Sequence, residues 1–493
     1  ASASNCDAVF AALAGDGRIA EAEVWERIRW LLALNLTGEA RRANALLPRS
    51  HQLGERKLRS AAANPSRYLA REKASFSGRG EREIVIFALA RLARERPDEA
   101  AERLRAFAAR LGDEGARFAW GQVAYQSAMN HHPRALEFYA MAGDAPLSET
   151  QVAWKARAAM RAGDWQALLA AIRALPPEEA RGSTWRYWRA RALRELGEAA
   201  TADALLRGLA SRLDFYGLLA AEEIGASPSP EWGRGPPEPS DIERMRAVPG
   251  VQRALALYRM GLDGEARREW IWAVRGRGDR DLLAAAEVAR LADLPARAIH
   301  TAERTVELHD FSQRYPVPHR EALGNAAREW ELDEALVYSV IRQESRFVAE
   351  ARSGAGATGL MQLMPRTARW VARQIPVRPY RRHMLVQPET NIRMGVYYLR
   401  RVLDDLGHPI LAAAGYNAGP GRARRWRGDD PLEGAVYVET IPFDETRRYV
   451  KKVLANAWFY SHRLDGKPIR LREVLGTVPG AAGDSGVVAA NIP

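Results

Sequence analysis

The stretch "LDEALVYSVIRQESRF", residues 332–347, places a glutamate in line with the apolar positions of a helix. Val337, Val340 and Ile341 lie seven, four and three residues before Glu344, and at about 3.6 residues per turn all four share one face. A carboxylate on such a face is costly unless it is paired, protonated or used. Taken alone, the stretch also fits a plainer arrangement, a glutamate at the edge of the stripe with its head bent out to water.

The flanking sequence is dense in signals. "SGAGATGLMQLMP", 353–365, has three glycines that permit tight turns and close backbone approach. Pro365 then suits the first turn of a helix whose Ala368, Val371, Ala372 and Ile375 form a buried stripe. A second helix opens on Pro388, with Ile392, Val396, Leu399, Val402, Leu403 and Leu406 on one face. "GYNAGPGR", 415–422, reads as a glycine-rich turn holding Tyr416 and Asn417. "IPFDETRRYVKKVL", 441–454, opens a further helix that contains Glu445.

"RQES", "GATGLMQLMP", "YNAGPGR" and "IPFDETRRYV", in that order, resemble the catalytic domain of the large soluble lytic transglycosylases, which has the fold of goose-type lysozyme. The resemblance covers about residues 316–475. It implies a peptidoglycan lytic transglycosylase cleaving the β-1,4 bond between N-acetylmuramic acid and N-acetylglucosamine. The implied product is a 1,6-anhydromuramoyl end, formed without water. Glu344 then matches the single catalytic acid: burial against Val340 and Ile341 raises its pKa so that it protonates the glycosidic oxygen, and once ionised it takes the proton of the 6-hydroxyl. By the same resemblance Ser353, Gln362 and Met364 line the cleft, Tyr416 lies near the reacting sugar, and Asn417 braces its turn. Glu445 matches a second cleft glutamate, whereas alone it reads as a first-turn acid at a favourable dipole end. Ser345 either orients the acid or packs in the helix. On spacing alone Met361 and Met364 read as core, and Asp444 and Glu439 rank below Glu445. Gly415 departs from the alanine usual before the tyrosine and is expected to loosen the backbone that carries Tyr416.

The front half reads as helix after helix, rich in Ala, Leu, Arg and Glu. "WKARAAMRAGDW" at 154–165 returns 34 residues later as "WRARALRELGEA" at 188–199, the period of helical-hairpin repeats that stack into a solenoid. Trp154, Trp165, Trp185 and Trp188 are expected to wedge between helices. "TGEARRANALL" at 37–47 and "DGEARREWIWAV" at 263–274 suggest a glycine ending one helix before Glu-Ala-Arg-Arg opens the next. The family carries such a superhelix, and "DFYGLLAAEEIG", 214–225, resembles its final segment. "SPSPEWGRGPPEPSD", 227–241, holds five prolines and reads as a linker. The expected fold is therefore all-α: a superhelical domain over 1–240, a helical linker domain over 241–315 and a lysozyme-like catalytic domain over 316–493.

Bulk properties bound the partners. The formal charge is +12, and residues 316–475 hold 26 Lys+Arg against 18 Asp+Glu. A basic face suits an anionic partner, whether nucleic acid, a lipid surface or an acidic polymer, and equally fits a solvated arginine-rich surface. The resemblance implies peptidoglycan glycan strands, whose lactyl and peptide groups carry carboxylates. No nucleic-acid module is recognisable. His383 and His408 lack ligand spacing, so neither a metal nor a cofactor is expected. Cys6 is the lone cysteine, read either as a thiol whose partner lay upstream or as a small buried hydrophobe. The chain begins with Ala1, so it reads as a processed product or a piece of a longer chain, and a membrane tether through a missing N-terminus is left open. The resemblance places the protein in the periplasm, with outer-membrane association left open, and offers the superhelix as a surface for cell-wall synthesis or remodelling proteins. Two rival readings are a hydrolase on the same fold, which needs a second placed carboxylate, and a silent scaffold that holds glycan.

Overall fold

In a computed structural model of the chain the described residues are 3–72, 76, 78–228, 230, 236–376 and 379–481, with side chains from residue 9 onward. The side chain of Cys6 and residues 229 and 231–235 of the proline-rich stretch lie outside this set. The chain is helical nearly throughout and divides into two compact units, residues 1–202 and 203–493.

In the first unit, local sequence fixes where helices begin and end. Ser148 caps the helix Glu149–Ala162 by accepting from Gln151 N, while Gln151 Oε1 accepts from Ser148 N, a reciprocal box that satisfies two otherwise orphaned donors. The repeat seen in the sequence is a repeat of geometry. Gly163 and Gly197, each nine residues after a repeat tryptophan, both adopt left-handed backbone at φ 67° and 86°. Trp154, Trp185 and Trp188 are buried and Trp165 is partly so. The buried Arg157 guanidinium lies 5.3 Å from the Trp154 ring and 5.0 Å from Trp185, so these rings are committed to packing. In two places the expected turn is displaced. Gly38 and Gly264 lie inside the helices Thr37–Asn44 and Asp263–Ala273, and the left-handed residues are Asn35 and Gly261, three positions earlier.

The second unit contains the helix Phe215–Glu223, then five helices between Pro239 and Ala302 around Met245, Val251, Trp270, Val274 and Val288. Pro239–Asp241, read as linker, already form the first turn of the helix Pro239–Arg246, where a proline lacking its N–H costs nothing. Farther on, the helix Glu334–Glu344 (the acid helix) packs against the long helix Asp444–Asp465. An aromatic cluster joins them: Tyr338 stacks on Tyr460 at 5.0 Å, and Tyr315 lies 4.3 Å from Phe459 and 5.5 Å from Tyr460. The single two-stranded ribbon among the described residues pairs Leu432–Glu433 with Thr477–Val478, antiparallel.

The glycine-rich stretch after the acid helix is held from outside. Gly359 has φ 87°, and a Cβ there would lie 2.1 Å from Asn391 Nδ2 and 2.2 Å from Leu385 O, so no other residue fits. Asn391, fully buried on the helix Pro388–Leu406, accepts from Met361 N at 2.7 Å and donates to Thr358 O at 3.1 Å and Leu385 O at 2.8 Å. Its amide supplies what the strandless loop cannot supply itself. Asn391→Ala leaves Met361 N and Leu385 O without the partner it supplies, while Thr358 O keeps its bond from Leu363 N at 3.1 Å. The change is expected to cost about 3 kcal/mol, lowering the unfolding midpoint of this unit by roughly 5 °C. A thermal melt that moved by less than about 2 °C would contradict that role.

Candidate active site

The acid helix is set from both ends. Asp333 caps it by accepting from Leu336 N at 2.8 Å, and Val337, Val340 and Ile341 are fully buried, as their spacing predicts. Arg342 fixes its rotation. This buried guanidinium donates to Arg314 O at 2.9 Å, Asn456 Oδ1 at 3.1 Å and Glu303 Oε1 at 2.7 Å, and its centre lies 4.3 Å from the Tyr315 ring. A charge this deep is tolerated because every face of it is partnered.

The helix stops at Glu344. Beyond it Arg346 and Phe347 take left-handed backbone, φ 50° and 64°, a conformation costing of order 1 kcal/mol or more per residue. Phe347 is buried against Tyr338, and its N–H donates to Ser345 Oγ at 3.1 Å. Ser345 Oγ also donates to Ile341 O at 3.3 Å, so this hydroxyl serves the turn.

Glu344 itself is partly buried, and its Oε1 accepts from Tyr449 Oη at 2.7 Å. Burial raises its carboxyl from 4.5 to about 7; the Tyr449 donation opposes that rise, and the negative charge of Glu445 adds to it. Glu445 and Tyr449 are four residues apart on the long helix, hence on one face. Tyr416 belongs to the same cluster: its phenol is pushed up by burial first and then by the charge of Glu344. Its hydroxyl donates to Met361 O at 2.8 Å, which ties it to the glycine-rich loop.

The structure thus brings Glu344, Tyr416 and Glu445 together. Asn417 Oδ1 accepts from Thr446 Oγ1 at 2.7 Å, locking the helix Pro409–Ala418 to the long helix. Tyr416 and Asn417 are therefore on the last turn of a helix and not on a glycine turn; the left-handed residue is Gly419, φ 93°. Gly415 is also inside that helix, where a Cβ would meet Leu406 Cδ1 at 2.8 Å and Val402 Cγ1 at 3.1 Å. It permits a close helix crossing, so the expected loosening does not follow.

On the loop, Gln362 (φ 46°) turns its Nε2 to Ala351 O at 3.0 Å and Gly359 O at 2.8 Å. Ser353 is exposed, and its Oγ accepts from Ala357 N at 3.0 Å. The two methionines part company: Met361 is fully buried, whereas Met364 is 42% exposed despite a spacing that suits core. Glu439 is fully buried and salt-bridged, and Asp444 is exposed and pairs with Arg447 and Arg448. Tyr449, Arg342 and Thr446 were not singled out from the sequence. Tyr449 was within reach, standing one helical turn beyond Glu445. Among the described residues no group of three or more His, Cys, Asp or Glu is placed to hold a metal ion.

The arrangement offers one carboxyl poised to give and retake a proton near neutrality, beside a second, exposed carboxylate.

Comparisons with known proteins point to one family. Three family models match: a transglycosylase SLT domain over residues 321–434, a soluble lytic murein transglycosylase L domain over 244–310, and a soluble lytic transglycosylase helical domain over 440–468. The soluble lytic murein transglycosylases of Salmonella typhimurium and Escherichia coli are each 28% identical, across 94% of this chain and 72% and 73% of theirs. A crystal structure of lytic transglycosylase Slt from Pseudomonas aeruginosa, an inactive glutamate-to-glutamine mutant, superposes with a TM-score of 0.80 at 33% identity. That match covers 94% of this chain and 76% of the other. The 70-kDa soluble lytic transglycosylase of Escherichia coli gives 0.71 at 26% identity over the same shares, and its complex with bulgecin A gives 0.70.

Two outcomes are expected. Folding raises the Glu344 pKa from 4.5 to about 7, so the folded state binds more protons than the unfolded state between those values. The associated stability is present below pH 4.5 and lost as pH rises through 7. Glu344→Gln cannot ionise, so it should match the wild type at about pH 4 and exceed its stability at about pH 8 by on the order of 2 kcal/mol. Melts at the two pH values check this, and an equal gap at both would contradict it. Tyr449→Phe removes a donor to the ionised form, so the alkaline limb of the kcat profile should move up by about one pH unit. An unmoved limb would remove Tyr449 from the site.

Proposed function

The chain belongs to the soluble lytic transglycosylase family and is a peptidoglycan lytic transglycosylase, and on that premise we propose that Glu344 alone serves as acid and then base. The observation that carries this reading is a carboxyl raised to about 7 by burial while bonded to one tyrosine. Protonated, Glu344 gives its proton to the glycosidic oxygen between N-acetylmuramic acid and N-acetylglucosamine as the C1–O bond breaks. The N-acetyl carbonyl of the muramoyl residue stabilises the cationic centre. Glu344, now a carboxylate, accepts the 6-hydroxyl proton while O6 bonds to C1. The proton returns to where it began, no water is consumed, and a 1,6-anhydro ring closes. Intramolecular attack outcompetes bulk water because the nucleophile is already positioned, an advantage of many powers of ten.

Other residues have separable parts. Tyr449 steadies the ionised form of Glu344 between the two proton transfers. Glu445 keeps the proton on Glu344 before cleavage and, after it, sets negative charge near the cationic sugar. Ser353, Gln362, Met364, Tyr416 and Asn417 line the cleft: the exposed Met364 offers a sugar face an apolar contact, and Gln362 shapes the loop with its NH2 group. Residues 241–315 act as the linker domain and 316–493 as the catalytic domain. Glycan strands are the partner, the periplasm is the compartment, and the first helical unit is the surface for other cell-wall proteins. No helix among the described residues is long and apolar enough to cross a membrane.

Mass spectrometry of soluble products from peptidoglycan sacculi tests the reaction. Fragments one water lighter than hydrolytic muropeptides, without reducing ends, are expected, and Glu344→Gln should lower the rate about a thousandfold while retaining sacculus binding. Reducing-end products, or near-normal turnover by Glu344→Gln, would overturn the single-glutamate mechanism.

A further inference from the structure

Glu439 is a fully buried carboxylate that the reaction does not use. It ends the short helix Gly434–Glu439, one turn before the long helix begins. It accepts a short hydrogen bond from Tyr216 Oη and one of 2.9 Å from Lys451 Nζ, and Arg447 Nε lies 3.8 Å from its Oε1. Arg447 also pairs with Asp444 and donates to Ile441 O at 2.8 Å, closing the turn between the two helices. Lys451 Nζ stands 5.1 Å from the Tyr216 ring. Glu439 thus meets two cations of the long helix and a tyrosine of the helix Phe215–Glu223.

The placement matters because of helical phase. Arg447 and Lys451 are four apart on one face of the long helix. Glu445 and Tyr449 are also four apart, two residues out of step, which at about 100° per residue is the opposite face. The Glu439 cluster therefore grips the back of the same two turns whose front meets Glu344. A second fastening holds the same outlying helix: Glu222 accepts from Leu471 N at 2.7 Å and Arg472 N at 2.9 Å.

We propose that Glu439 is a positioning residue, which with Tyr216, Lys451 and Arg447 sets the rotation of the long helix and so aims Tyr449 and Glu445 at Glu344. The helix Phe215–Glu223 is by this reasoning part of the catalytic scaffold, although its sequence resembles the end of a superhelix. The inference rests on Glu344 being the acid.

The test uses the full chain with Glu439→Gln, Tyr216→Phe, Tyr449→Phe and the Glu439→Gln/Tyr449→Phe double variant, assayed on sacculi across pH. Glu439→Gln should lower kcat about tenfold with KM little changed and move the alkaline limb upward, as Tyr449→Phe does. Tyr216→Phe should act in the same direction by about threefold, and it carries the test alone if Glu439→Gln fails to fold. In the double variant the second change should add less than about twofold, because both act through one contact. An unshifted limb in a folded Glu439→Gln or Tyr216→Phe protein, or fully additive losses, would overturn the proposal. A wild-type profile from Tyr449→Phe would remove Tyr449 from the site and overturn the proposal as well, whereas near-normal turnover by Glu344→Gln would instead overturn the reading of Glu344 on which it rests.

Discussion

A carboxyl that holds its proton near neutrality must be shielded from water, yet it must still reach a substrate and survive a moment as an anion. At Glu344 these demands meet in one bond, from Tyr449 Oη to Oε1, on a side chain that burial pushes up to about 7. Much of the surrounding unit can be understood as keeping that pair in register. Arg342 fixes the rotation of the acid helix, the stacked rings of Tyr315, Tyr338, Phe459 and Tyr460 fix its distance from the long helix, and the Asn417–Thr446 bond adds a third helix. Two left-handed residues after Glu344 turn the chain away at once, leaving the acid at the helix end.

These devices work against stability. The raised carboxyl destabilises the fold above neutral pH, and Arg346 and Phe347 store backbone strain. The buried Arg342 is tolerable only with all its partners present. What offsets these costs is ordinary burial, the full enclosure of Val337, Val340, Ile341 and the aromatic cluster. A site assembled this way gains positional precision at some expense in free energy, as expected where local rules of foldability are broken for chemistry.

How much of this the sequence discloses depends on how local the cause is. The all-α fold, the helical repeat with its paired glycines and the acidic position on an apolar stripe all follow from periodicity, and Glu344 stood out for that reason. Helix limits set by tertiary packing were less legible. Gly415 and the nearby Tyr416 and Asn417 look like a turn, yet Leu406 and Val402 pack so closely against Gly415 that the helix runs on through them. Partners far apart in the chain were not legible at all. Tyr449 lies 105 residues from Glu344, and Tyr216 lies 223 from Glu439. Periodicity assigns a residue to a face, and only packing decides what that face meets. Met361 and Met364 share a spacing and differ entirely in exposure for the same reason.

The central claim is that one side chain is protonated when substrate arrives. A carbon-13 NMR titration of glutamate side-chain carboxyls, with the Glu344 resonance assigned by its loss in Glu344→Gln, measures that proton directly. The expected result is a midpoint near the value of about 7. A midpoint at the ordinary 4.5 would mean that Glu344 arrives ionised, and the acid–base account would fail.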